Sequence, residues 1–195
     1  MNSLNHIKSI DIYFLDQLIK GRLKPSDKIL DAGCGSGRNI KFLIQEHFNV
    51  FGVDDNKNAI EQLKLSYPKL SNNFTKKSIE KYNSEHQFDF IICNAVLHFA
   101  KDHDHFDELF AKLVSLLSKH GTLFIRMTTD IGIKELLDES INGVYHLPDN
   151  TLSYLVTKEK ITSILSLHQL QLTEPIKAVV VYGKRSMVTL VFKRN

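Results

Sequence analysis

Lys28-Ile29-Leu30-Asp31-Ala32-Gly33-Cys34-Gly35-Ser36-Gly37-Arg38-Asn39 carries a short apolar run into three glycines at alternate positions. The chain must turn sharply there from a strand into a helix. Glycine accepts positive φ, and its missing side chain lets the backbone come close to a ligand. In a doubly wound sheet, such a turn stands at the switch point where ligands bind. The spacing Gly33-x-Gly35-x-Gly37 differs from the GxGxxG fingerprint that cradles a pyrophosphate on a helix N-terminus. Asp31 at the mouth of the loop would repel a pyrophosphate and suits a ligand carrying an ammonium group. Asp54 closes the next strand, where an acid accepts hydrogen bonds from both hydroxyls of a ribose. Together these pieces describe a pocket for a nucleoside with a cationic, unphosphorylated tail.

Working outward, Asn49–Asp54 reads as the second strand, Phe74-Thr75 as a weak third and Phe88–Cys93 as a fourth. The unbroken apolar character of the fourth suits a parallel strand covered on both faces. Gly121–Arg126 reads as the fifth strand. Helical spacing of apolar residues predicts helices over 3–20, 37–47, 56–66, 104–118 and 158–168. Strands over 176–182 and 186–193 follow, separated by Gly183-Lys184-Arg185. Strands alternating with helices specify an α/β fold. The expected architecture is a three-layer, doubly wound, mainly parallel seven-stranded sheet. An antiparallel C-terminal edge strand and an N-terminal cap helix within residues 1–24 complete it. Residues 130–157 are irregular and long enough to be an insertion or lid near the sheet edge. The whole of 1–195 reads as a single domain.

The 195 residues carry 25 Lys and Arg against 22 Asp and Glu, a formal net charge of +3, which does not point to nucleic acid. The basic run Lys177, Lys184, Arg185, Lys193 and Arg194 reads as solvation of the terminal strands. Cys34 and Cys93 lie in or beside apolar runs without metal spacing, as small buried residues of a reducing compartment. No apolar run approaches the roughly 20 residues needed to span a bilayer, and no signal-like stretch opens the chain. A cytoplasmic protein without a membrane partner is expected. His103 and His105 lie among Asp102, Asp104 and Asp107, but Asp102 or Asp104 reads more simply as a helix N-cap than as a metal ligand. No metal is expected.

The loop Asp31–Asn39 resembles motif I of the class I S-adenosylmethionine-dependent methyltransferases, and Gly52-Val53-Asp54 resembles their motif II acid. The resemblance spans Lys28 to Phe192. It implies S-adenosyl-L-methionine as cofactor and S-adenosyl-L-homocysteine as product. By that resemblance Gly33, Gly35 and Gly37 would pack against the cofactor's amino-acid tail and sugar, with Cys34 and Asn39 in the same loop. Asp31 would organise the ammonium end, Asp54 would bind the ribose and Asp55 would line the adenine side. Ser78 stands where the family commonly has Asp, a departure, while Ile79 fits the adenine contact. Tyr13, in the cap helix, is read either as closing over the cofactor and substrate or as packing.

The stretch Cys93-Asn94-Ala95-Val96-Leu97-His98-Phe99 resembles the family's small-molecule pattern, in which this loop sits beside the transferable methyl group. Asn94 and Ala95 would contact the cofactor. Neither the Asn/Asp-Pro-Pro-aromatic tetrad nor a Pro-Cys nucleophile is present. DNA is therefore not expected as substrate, and RNA stays open. His98, with an ordinary pKa of about 6.5, is a candidate proton acceptor and equally a packed histidine. Arg126 either pairs with an acidic substrate or caps a local carboxylate. Tyr145, in the insertion, would shape the acceptor pocket. The Gly-x-Gly-Arg-Asn run also resembles tellurite-resistance-like and thiol methyltransferases. The expected reaction is in-line transfer of a methyl group to S, O or N of a small molecule, by a monomer or homodimer. The alternatives are an RNA or protein methyltransferase, a non-catalytic cofactor-binding module, and a nicotinamide oxidoreductase, which the glycine spacing disfavours.

Overall fold

A computed structural model describes residues 7–138 and 140–195. Five parallel strands form the body of the sheet: β1 (Lys28–Ala32), β2 (Asn49–Asp54), β3 (Phe74–Lys76), β4 (Phe88–Asn94) and β5 (Leu117–Thr128). Their order is β3-β2-β1-β4-β5, with β1 at the point where the direction of winding reverses. Residues alternate between the faces of each strand. Ile29, Phe90, Ile92 and Phe124 face one buried cluster, while Leu30, Ile91, Cys93 and Leu123 face the other. Both faces are covered by helices, so the central strands read as nearly unbroken apolar runs.

On the first face lie α1 (Ile12–Ile19), α2 (Lys41–Gln45) and α3 (Lys57–Ser66). Phe14 of α1 is completely buried, with its ring 6.1 Å from that of Phe90 and 5.7 Å from that of Phe124. On the second face α4 (His103–Leu116) buries Phe106, Leu109, Phe110, Leu113 and Val114, and α5 (Lys158–Leu167) buries Ile161 and Ile164. Asp102 is the N-cap of α4, its Oδ1 accepting from the His105 N–H at 2.8 Å.

Three of the differences from the sequence expectation bear on the layout of the layers. The helix expected over 3–20 is interrupted within the described residues. The turn at Ile7 ends by Ile10, and α1 begins anew after Asp11. Residues 3–6 lie outside the described residues. Asp11 Oδ1 accepts from the Tyr13 and Phe14 N–H groups, and this N-cap is a stronger local signal than the apolar spacing of Ile7 and Ile10. The helix expected over 37–47 shrinks to Lys41–Gln45, because the glycine loop continues as turns through Ile40.

The last difference concerns the far edge of the sheet. β10 (Arg185–Arg194) is antiparallel to β5 but is not the edge. β8 (Leu170–Leu172) and β9 (Lys177–Val181) pair along its outer side at different heights. The sheet thus has eight strands, seven of them on the continuous path. β8 was hidden by its length, since three residues are too few to show a period.

Residues 130–157 contain a hairpin of β6 (Val144–His146) and β7 (Leu152–Tyr154). The hydroxyls of Thr128 and Thr129 donate to Tyr154 O at 2.8 Å and Val156 O at 2.7 Å, fixing the return strand to the end of β5. Among the described residues, no helix is long and apolar enough to cross a membrane.

Candidate functional site

Strand geometry brings the carboxyl ends of β1, β2, β4 and β5 to one edge, where two adjoining cavities open. The first, of about 620 Å³, runs from Gly33 and Gly35 past Asp54 and Asp55 to Ser78 and Ile79. The second, of about 460 Å³, is lined by Asn94, His98, Arg126, Arg185 and neighbours. Ala95 lines both.

The loop after β1 is held open from below. The N–H groups of Gly33 and Cys34 both donate to Val53 O, at 2.8 and 3.1 Å. Gly35 has φ +49 and would point a Cβ into empty space, so the backbone is bare on the wall of the crevice. The Gly35 N–H donates to Asp54 Oδ2 at 2.7 Å, and the Asn56 N–H donates to Asp54 Oδ1 at 2.8 Å. A carboxylate offers about four lone-pair sites. The two backbone bonds orient Asp54 and leave capacity on both oxygens for hydroxyl donors in the crevice.

Asp31, within β1, is 1% exposed, with Oδ2 unpartnered. Burial, reinforced by the negative charge of Asp54, pushes its pKa up to about 7, against a smaller opposing pull from Arg38. A buried carboxylate without a partner is costly, and a cationic group in the adjoining crevice would relieve that cost. Ser78, Ile79 and Asp55 line the far end of the same crevice. His105 Nε2 lies 2.9 Å from Glu80 Oε1 at its rim, and His103 Nδ1 lies 3.0 Å from the Tyr154 hydroxyl.

The other loop residues named from sequence serve as its frame. Cys34 is buried, its Sγ against Gly52, and burial pushes its thiol pKa up, away from reactivity. Gly37 closes on Leu63 of α3. Asn39 is buried and its Oδ1 accepts the Asp11 N–H at 3.1 Å, tying the N-terminal segment to the glycine loop. Tyr13 lies under Arg126, whose Cζ is 4.7 Å from the ring centroid.

In the second cavity Asn94 and Arg126 are paired in register across β4 and β5. Ala95 follows with φ +62, a conformation costly for a residue with a Cβ and concentrated at functional sites. Both ends of the Asn94 amide, His98 Nδ1 and the Nε atoms of Arg126 and Arg185 are buried without partners. Burial, with a smaller effect of the Arg185 charge, pushes the His98 pKa down to about 4, so the ring is neutral at physiological pH. Arg126 Nη1 pairs with Asp11 Oδ2 at 3.2 Å, the local-carboxylate reading, while its side chain also lines the cavity. Tyr145 does not line either cavity. It packs against the small cluster of Ile133, Leu147 and Leu155, because the β6–β7 hairpin turns it inward.

Arg38, Lys184 and Arg185 at this cavity were not anticipated from sequence. Arg38 stands inside the quoted loop, and Lys184 and Arg185 were read as solvation. Only the β9–β10 hairpin brings them over the ends of β4 and β5.

Residues 29–121 match the family model described as a methyltransferase domain. A trans-aconitate 2-methyltransferase of Escherichia coli is 30% identical over 115 residues, which is 58% of this chain and 44% of that protein. A ubiquinone biosynthesis O-methyltransferase of Rickettsia bellii is 29% identical over 127 residues, 63% of this chain and 51% of that protein. The chain thus spans about half the length of these curated relatives. Among solved structures, an S-adenosylmethionine-dependent methyltransferase from Clostridium acetobutylicum superposes with a TM-score of 0.73, covering 97% of this chain and 92% of that one at 14% identity. The 1,6-didemethyltoxoflavin-N1-methyltransferase of Burkholderia thailandensis, with its substrate and S-adenosylhomocysteine bound, gives 0.70 at 15% identity, covering 100% of this chain and 81% of that one. Residues 29–121 are thus similar to the methyltransferase-domain family, on a chain that shares the fold of these solved methyltransferases.

Proposed function

We propose that this chain is an S-adenosylmethionine-dependent methyltransferase whose acceptor is a small molecule. The observation that carries the reading is the pair of acids at one sheet edge. Asp54 is oriented by two backbone N–H groups with lone pairs to spare, and Asp31 is buried with an oxygen unpartnered. A ribose fits the first and a methionine ammonium fits the second. Gly33, Gly35 and Gly37 shape the wall beside the tail, framed by Cys34 and Asn39. Asp55, Ser78 and Ile79 hold the adenine end, and Asn94 and Ala95 flank the reacting end. The bound cofactor supplies an already activated methyl group, so this chain's residues contribute alignment and exclusion of water.

His98 and Arg126 face the acceptor, with Tyr13 supporting Arg126 from below. Residues 130–157 border the acceptor side through Asp149, all within one domain. The small-molecule assignment draws on the relatives, named for trans-aconitate, ubiquinone biosynthesis and didemethyltoxoflavin.

Titration calorimetry with S-adenosylhomocysteine tests the cofactor site. Asp54→Ala removes a charged partner of the ribose, and hydrogen bonds to charged groups contribute about 1.5–3 kcal/mol. Affinity should fall by about 10- to 150-fold. An unchanged Kd would remove the ribose assignment.

A further inference from the structure

The second cavity gathers unsatisfied polar groups and positive charge. Arg38, Arg126, Lys184 and Arg185 all line it, and Asp149 is the lone carboxylate among its lining residues. Asp11 pairs with Arg126 from behind. Four cations thus face two carboxylates, an excess of two positive charges. Arg38 and Lys184 have no ion-pair partner among the described residues.

The two arginines are braced rather than free. Arg126 is held by Asp11 at 3.2 Å and by the ring of Tyr13. Arg185 Nη2 lies 2.8 Å from Asp149 Oδ2 and 3.0 Å from Thr151 Oγ1. Each nevertheless keeps a buried, unpartnered Nε, and the Asn94 amide and His98 Nδ1 are unpartnered in the same cavity. Buried polar groups without partners carry a free-energy penalty that a complementary ligand removes. A fixed guanidinium matches a carboxylate in shape and charge.

On the reading that the first cavity holds the methyl donor, we propose that the second takes a small organic acid with at least two carboxylates and that one of them is the methyl acceptor. One carboxylate is anchored among Arg185, Lys184 and Arg38. The other lies toward Ala95, where the two cavities meet. There a carboxylate oxygen forms the new bond to the methyl carbon as the bond from that carbon to the sulfonium sulfur breaks, leaving its electron pair on sulfur. The products are a methyl ester and the neutral thioether, and no proton moves. The cavity agrees with that balance. Asp149 is held by Thr151 and Arg185 with its carboxyl below the usual range, and His98 is too weakly basic to take a proton from an amine near neutrality. An acceptor that arrives ionised needs neither.

The four cations line one concavity of about 460 Å³ beside the β9–β10 turn, a span suited to a small anion, whereas a nucleic-acid face spreads its phosphate contacts along a longer surface.

The test uses the full chain loaded with S-adenosylhomocysteine. Calorimetry with fumarate, glutarate and citrate should show binding, while fumaramide and glutaramide should bind at least tenfold more weakly. Arg185→Gln should weaken the acids tenfold or more with the S-adenosylhomocysteine Kd unchanged, and Arg185→Lys should recover part of the loss. Turnover with labelled methyl donor at saturation should give base-labile label, as an ester does, with kcat/KM for the acid flat from pH 6 to 8. Equal binding of acids and amides, a base-stable product, or preferential salt-sensitive binding of a transfer RNA would overturn the inference. So would failure of every acid to bind the loaded protein. Failure of S-adenosylhomocysteine itself to bind would instead sink the cofactor reading on which this one rests.

Discussion

Asp31 shows how much chemistry one buried side chain can carry. Its pKa in the free protein stands near 7 because burial disfavours the charged form and Asp54 adds a second negative charge. In the proposed complex the ammonium of the cofactor's tail lies beside it and favours ionisation. The bound pKa is then lower than the free one, and binding below about pH 7 must expel a proton. The sign follows: affinity weakens as pH falls through 7, by up to tenfold per unit until the bound pKa is reached. Calorimetry at pH 6.5 in two buffers of different ionisation enthalpy should reveal that proton, and Asp31→Asn should abolish it. Identical heats in both buffers would remove Asp31 from the ammonium site. The acid at the mouth of the loop was legible in the sequence. Its burial and raised pKa were not, because both depend on Asp54 and on the strands that flank β1.

Among the elements, β5 shows a backbone solution that spacing alone did not reveal. The sequence suggests a strand from Gly121, yet β5 starts at Leu117 directly after α4. Register explains the difference. Phe88 pairs with Leu117 and Phe90 with Thr122, so β5 bulges through Ser118–Gly121 against a single residue of β4. A Cβ on Gly121 would meet Phe88 O and Ser118 O, each at 2.9 Å, and neither is a flexible side-chain end. Gly121→Ala should therefore lower stability by about 1–3 kcal/mol, measured by urea unfolding. The S-adenosylhomocysteine Kd should not change, since the bulge lies at the opposite end of β4 from the site. Wild-type stability would mean that the bulge relaxes freely. Helix boundaries moved for similarly local reasons. Asp11 restarts α1 where apolar spacing favoured continuity, and the glycine loop delays α2 until Lys41.

Across the whole molecule, the two large buried clusters lock three layers together, and Phe14 is a fully buried link between the N-terminal segment and the sheet. Replacing a fully buried phenylalanine by alanine costs about 3–5 kcal/mol. At this chain length each kcal/mol moves the melting temperature by about 2–4 °C. Phe14→Ala should lower Tm by on the order of 10 °C in a calorimetric scan, and a shift under a few degrees would show that α1 is not integral to the core. The same segment supplies Asp11, which orients Arg126 and caps α1, so the cap helix and the acceptor cavity share one anchor. By itself the sequence determined the alternation of β1 to β5 with their helices, the glycine loop and the acid after β2. Those features rest on local backbone preferences and on the period with which apolar residues recur. Only the tertiary structure decided that β10 lies inside the sheet, that Tyr145 turns inward and that Arg185 reaches Asp149 across a cavity shared with Arg38 and Arg126. Such contacts join residues far apart in the chain. They are set by how strands and layers pack, which no short window of sequence contains.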